Sequence, residues 1–133
     1  MYKTNLVAIR DVTAQDANFV MATWLKGLRY GNDWFELIPS EVYFKVYHQV
    51  IEQILLRPKT LIQIACLKDE PDVILGYSVF EDSTLHFLFV KRPWRGIGIA
   101  KMLTPIGITT VSHLTKTGRA ILTKTPGVTF NPF

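Results

Sequence analysis

The chain contains a single cysteine, Cys66, so no disulfide can close within it. That cysteine sits in the apolar run Leu61-Ile62-Gln63-Ile64-Ala65-Cys66-Leu67 and is expected to be a buried, unreactive side chain. Charges interrupt every apolar stretch well before the roughly 18 to 20 residues that a membrane-spanning helix needs. The first residues also lack the apolar core of a signal peptide, so the expectation is a soluble, cytoplasmic protein with no membrane partner. Cysteine, histidine and acids nowhere fall at metal-ligand spacing, and no metal is expected. The most informative shortage is of negative charge: all 11 acidic residues precede residue 83, while seven of the 15 lysines and arginines follow it with no acid beside them. So cationic a C-terminal part can attract nucleic acid, an acidic membrane face or a phosphorylated small molecule, and charge alone does not choose among them.

What is present suffices for one core: 133 residues, 48% of them hydrophobic, predict a single domain spanning residues 1–133. Ile9-Arg10-Asp11-Val12 alternates as a short strand, and Thr13-Ala14-Gln15-Asp16 has the capping-box spacing that opens a helix. The stripe Ala17, Val20, Met21, Trp24, Leu25, Leu28 predicts that helix, with Gly31 to close it. A second helix is expected to start at Pro39-Ser40, to bury Val42, Val46, Val50, Ile51, Ile54 and Leu55, and to stop before Pro58. The loop between them carries Asp33, Trp34, Phe35 and Glu36; the two aromatics either pack or cap an acceptor pocket. From Thr60 the period changes to that of strands, giving an antiparallel meander over residues 61–67, 73–80 and 85–90. A helical segment follows from near Ile97. Pro105 and Gly107 either end it near Thr104 or kink it before it resumes through Val111 and Leu114, and residues 119–125 predict one more strand. The order implies an α+β or mixed α/β protein whose central, mostly antiparallel sheet is flanked by helices.

Phe87-Leu88-Phe89-Val90-Lys91-Arg92-Pro93-Trp94-Arg95-Gly96-Ile97-Gly98-Ile99-Ala100 runs from a strand through a cationic loop into a helix start. The first amides of a helix lack internal partners and its dipole is positive there, so an anion binds if the backbone can come close. Gly96 and Gly98 permit that approach, and Lys91, Arg92, Arg95 and Lys101 add positive potential. In this segment the sequence resembles the GNAT superfamily of acyl-CoA N-acyltransferases, whose signature places Arg or Gln, two residues, Gly, one residue, then Gly or Ala. Arg95, Gly98 and Ala100 fill it, Val90 stands five positions ahead of the arginine, and Ile9-Arg10, Thr13 and Asp16 resemble the family's opening. The resemblance implies an acetyl-CoA or other acyl-CoA co-substrate lying in a cleft between two splayed strands. Its pyrophosphate would meet the amides of Gly96, Ile97, Gly98, Ile99, Ala100 and Lys101, and its pantetheine arm the backbone of Leu88, Phe89 and Val90. A dinucleotide fingerprint does not fit, since the third glycine and the later acid are missing.

Acyl transfer needs a neutral amine and a thiolate that can leave. With no acid after Asp82, a carboxylate base must be Glu81, Asp82, Asp33, Glu36 or Glu41, and Glu81 is the favoured one. His86 is the other catalytic candidate: alternation puts it on one strand face with Thr84, Leu88 and Val90, opposite Leu85, Phe87 and Phe89. His48 and His113 lie on predicted helical stretches and are weaker candidates. The family commonly supplies a tyrosine acid from a later helix, but the last tyrosine here is Tyr77. Residues 128–133 are expected to form a last strand or to cross to a second subunit, closing a homodimer. Three functions stay in play. The first is an N-acyltransferase acting on a small-molecule or peptide primary amine. The second is a non-catalytic acyl-CoA-binding module. The weakest is a nucleic-acid binder, for which no known motif accompanies the basic residues.

Overall fold

Alternation of apolar residues in consecutive segments builds the sheet. Leu61–Leu67 (β2), Ile74–Glu81 (β3) and Thr84–Val90 (β4) form the expected antiparallel meander, and Val7–Asp11 (β1) adds antiparallel to β2. A computed structural model describes residues 5–30, 37–112 and 129–130 of the chain. Beyond β4, Thr110–Val111 (β5) and Thr129–Phe130 (β6) pair in parallel, so the strands lie in sequence order. Asp82 turns β3 into β4 with a φ of 51°, a left-handed conformation that aspartate tolerates better than most side chains.

Thr13 caps as its spacing predicts: its amide and hydroxyl both donate to Asp16 Oδ2, at 2.7 and 3.0 Å. A 3-10 turn at Ala14–Asp16 then leads into helix α1, Ala17–Tyr30. The Arg10 guanidinium grips the same carboxylate through both oxygens, at 2.7 and 3.0 Å. Hydrogen bonding to Arg10, which outweighs the burial that opposes it, pulls the Asp16 carboxyl down to about 2. Helix α2, Ser40–Leu55, ends ahead of Pro58 as expected, and Val50, Ile51, Ile54 and Leu55 face the core as expected, but its first turns do not follow the expected face. Tyr43, Ile51 and Ile54 are buried, whereas Val42 and Val46 are 51% and 46% exposed. The rotation follows from Tyr43, whose hydroxyl donates to the Leu25 carbonyl at 2.7 Å and whose ring stacks on Tyr47 and carries the Arg29 guanidinium at 5.0 Å.

Strand alternation sorts the core into two layers. On one face α1 and α2 bury Val20, Trp24, Leu28, Tyr43 and Ile51 against Ile64, Tyr77, Val79 and Phe87. Trp24 stacks on Phe87 at 5.4 Å, and the Tyr77 hydroxyl donates to the Val20 carbonyl at 3.0 Å. On the other face a short helix α3, Ile99–Leu103, packs Ile99 and Leu103 on Val7, Ala65, Leu75 and Val90. Each large apolar side chain so buried contributes about 1.5–3 kcal/mol. Cys66 is buried in the first layer, its Sγ 3.6 Å from the Ala8 carbonyl. After Leu103 the helix does not resume among the described residues, and Leu114 lies outside them. Gly107, at φ 90°, turns the chain back to the sheet, the Thr110 amide bonds Ser83 O, and Val111 is a strand residue. The predicted strand at 119–125 and the closing Gly31 lie outside the described residues. Among those residues no helix is long and apolar enough to cross a membrane.

Candidate active site

Strand β4 carries the candidate residues at both of its ends. At its C-terminal end Lys91 leads into a 3-10 turn at Arg92–Trp94, after which Gly96 and Gly98 take φ values of 84° and 97°. Both are left-handed, and a Cβ at either would meet nothing within 4 Å, so the loop's outer surface is bare backbone. Among the described residues, no backbone hydrogen bond uses the amides of residues 96–101 as donor; the ladder begins with Met102 N to Gly98 O. Ile97 and Ile99 turn inward onto the α3 layer. Arg95 does more than add charge: its Nε donates to the Val90 carbonyl at 2.8 Å, which explains structurally the five-residue spacing between them. Lys91, Arg92 and Lys101 complete a cationic rim, with Lys91 Nζ 5.3 Å from the centre of the Phe19 ring. Such an array of free amides with basic neighbours is a cradle for phosphate oxygens. Leu88 and Phe89 are half-buried and Val90 buried, Phe89 packing beneath α1 beside Tyr77.

At the N-terminal end, β4 pairs with β5 only through Thr84 with Thr110 and Leu85 with Val111. Ser112 N still donates to Leu85 O at 3.1 Å; past that point β4 has no strand partner on this side among the described residues. On the other side the β3–β4 register slips between Val79 and Phe80, leaving His86 as the extra residue of a bulge. His86 is 5% exposed, and its two ring nitrogens reach in opposite directions. Nε2 lies 3.1 Å from Glu81 Oε1 and Nδ1 2.7 Å from Ser112 Oγ. Glu81 in turn accepts from Arg57 at 3.0 Å. Burial pushes the imidazole below its ordinary value, against the opposing pull of the Glu81 carboxylate. Hydrogen bonds from His86 and Arg57 hold Glu81 below the usual carboxylate range. A neutral imidazole beside an ionised carboxylate donates from Nε2 and accepts at Nδ1, so the Ser112 hydroxyl is the donor to it.

The two catalytic candidates, His86 and Glu81, are thus brought together, while Asp82 and Glu41 are exposed and apart from them. His48 pairs with Glu52 at 3.5 Å on the outside of α2. Asp33, Trp34, Phe35, Glu36 and His113 lie outside the described residues. An open depression lined by Arg10, Thr13, Asp16, Pro71, Asp72 and Ile74 holds none of the candidates, and within it Arg10 is paired with Asp16. Sequence reasoning missed Ser112 and Arg57. Only the parallel pairing of β5 brings the first to His86, and only the return of the chain from α2 brings the second to Glu81.

No protein-family model matches the sequence, and no curated protein does. Solved structures do resemble it. A candidate acetyl transferase from Pyrococcus furiosus is 13% identical over 94% of this chain and 80% of its own, with a TM-score of 0.61. A candidate acetyltransferase from Bacillus subtilis is 13% identical over 88% of this chain and 87% of its own, at 0.64. A candidate GNAT-family acetyltransferase from Staphylococcus aureus is 14% identical over 71% and 82%, at 0.53. The chain has the mixed α/β fold of the GNAT acetyltransferases.

Proposed function

We propose that the chain is an acyl-CoA-dependent N-acyltransferase that moves an acetyl or similar acyl group to a primary amine of a small molecule or peptide in the cytoplasm. One observation carries this reading: a single strand joins a bare-backbone, cationic loop at one end to a His86–Glu81 pair, its histidine buried, at the other. The loop suits a pyrophosphate, held by the amides of residues 96–101 with Lys91, Arg92 and Lys101 around it. The backbone edge of Leu88 to Val90, which has no strand partner on this side among the described residues, suits a pantetheine amide chain running towards His86. The thioester supplies an activated carbonyl and a thiol leaving group. The neutral imidazole supplies the base, and Glu81 fixes its tautomer and steadies the proton it accepts. Fold likeness supports acyl transfer but does not name the acceptor.

The test is a thermal melt with acetyl-CoA, paired with thiol release against a panel of amines. Ligand at 100 times its dissociation constant adds about 2.7 kcal/mol to stability. A melt unmoved by millimolar acetyl-CoA overturns the reading. A shifted melt with no amine-dependent thiol release points instead to a binding module.

A further inference from the structure

Gly76 lies buried in β3, opposite Val90 of β4. A Cβ at this residue would overlap the Phe89 carbonyl oxygen, and would stand 3.1 Å from Val90 Cα and 3.3 Å from the Phe89 carbonyl carbon. All three are backbone atoms, which cannot swing aside as the end of a side chain can. The crowding has a local cause. Between β2 and β3 the register slips from Ala65, opposite Gly76, to Cys66, opposite Ile74, so Leu75 is the extra residue of a bulge. A bulge bends the strand that carries it, and a glycine beside one marks a close approach of backbones. Nor is β4 free to retreat, because Lys91 N donates to Leu75 O at 2.8 Å just beyond the contact.

The peptide confined in this way faces both edges of β4. A trans peptide is planar, with its C=O and N–H pointing in opposite directions, so a Phe89 carbonyl turned to Gly76 turns the Val90 N–H to the other edge. At that height β4 has no strand partner on the other edge among the described residues. The Val90 carbonyl, on the same edge as its own N–H, accepts from Arg95 Nε at 2.8 Å. We propose that Gly76 is a positioning residue for coenzyme binding. Its bare Cα fixes where the Phe89–Val90 peptide stands, and with it the N–H offered to an acyl-CoA amide and the carbonyl from which Arg95 hangs the glycine loop. The inference rests on the acyl-CoA reading. A methyl group at residue 76 drives the peptide plane away from β3, displaces the edge N–H and takes the carbonyl out of line with Arg95. One change then weakens binding at the strand and at the loop together, although Gly76 itself touches no ligand.

Calorimetric titration of the full chain with acetyl-CoA tests this. Gly76→Ala should bind about tenfold more weakly, roughly the factor that one misplaced hydrogen bond carries, while keeping the wild-type circular-dichroism spectrum. Arg95→Ala should weaken binding as well, but added to Gly76→Ala it should lower affinity little further, because both act through the Val90 carbonyl. Gly27→Ala is the control for a merely structural loss. Its Cβ meets the Phe87 ring at 3.1 Å, a side chain that can move, so it should alter the melting temperature and leave affinity unchanged. In the wild type, an NMR titration with acetyl-CoA should move the Val90 amide resonance more than that of Phe89, whose N–H faces β3. Wild-type affinity in folded Gly76→Ala, or losses that add on the logarithmic scale with Arg95→Ala, overturns the proposal and leaves the coenzyme reading standing. If Gly76→Ala does not fold, the NMR titration decides: a Val90 amide unmoved by bound acetyl-CoA overturns the proposal. A wild-type chain that binds no acetyl-CoA overturns the coenzyme reading and the proposal with it.

Discussion

The two ends of β4 are built from different materials. Its C-terminal end works by omission: two glycines with positive φ, open space where side chains would be, and a row of amides without acceptors among the described residues. Its N-terminal end works by enclosure: a histidine 5% exposed, held on both nitrogens by groups from β3 and from the end of β5. Omission is local, because a glycine confers its freedom wherever the chain goes. Enclosure is global, because it needs three strand ends to arrive together. The first end is suited to hold a ligand whatever its chemistry, and the second to move a proton.

The sharpest way to break this contrast is His86→Ala. Turnover with an amine should fall by roughly 10² to 10⁴ while the melt shift by acetyl-CoA stays as in the wild type, which steady-state kinetics and melts measure together. Equal loss of both would mean that the ends are not separate. Next is Gly98→Glu, at φ 97° in open space. Its carboxylate would stand where phosphate oxygens should, so acetyl-CoA binding is lost, while strain at the one residue costs only about 1–2 kcal/mol and the circular-dichroism spectrum is kept. Unchanged affinity in that folded variant would remove the loop from the site.

A third effect sits away from both ends. Hydrogen bonding to Arg10 depresses the Asp16 carboxyl from 3.8 to about 2, equivalent to about 2 kcal/mol. A depressed acid stabilises above its unfolded value and loses that contribution as pH falls through its folded one. Asp16→Asn should therefore cost about 2 kcal/mol at neutral pH and flatten the wild type's loss of melting temperature between about pH 4 and 2. His86 works in a different window. The folded chain holds this imidazole below 6.5, so the unfolded chain takes up the proton first and stability declines as pH drops under 6.5. His86→Ala should lessen that decline, and the acid limb of turnover should lie below 6.5. Smallest is Ser78→Ala: the buried Ser78 hydroxyl has no hydrogen-bond partner among the described residues, so its removal should be neutral or stabilise by up to about 1 kcal/mol in a denaturant titration.

How legible each part was follows the same division. The Thr13–Asp16 cap, the limits of α2, the β2–β3–β4 meander and the glycine loop were readable because each depends on neighbours in the chain. The face of α2 was read correctly at Val50, Ile51, Ile54 and Leu55 and misread in its first turns. Val42 and Val46 fit the period, but Tyr43 turns inward to bond α1, and that partner is 18 residues away. Val111, read as a helix that might resume, is a strand because β4 offers it a ladder.

By itself the sequence determined the elements and the bare loop with its cationic rim, since backbone freedom, capping and alternation act over a few residues. It also narrowed the acids, because no carboxylate follows Asp82. Only the tertiary structure decided which of them meets His86. Glu81 stands within 3.1 Å of His86, and Ser112 meets the other ring nitrogen from 26 residues away. Parallel pairing between β4 and β5 produces that meeting, and a parallel register has no turn to specify it, so the packing of the whole sheet fixes where the strands join.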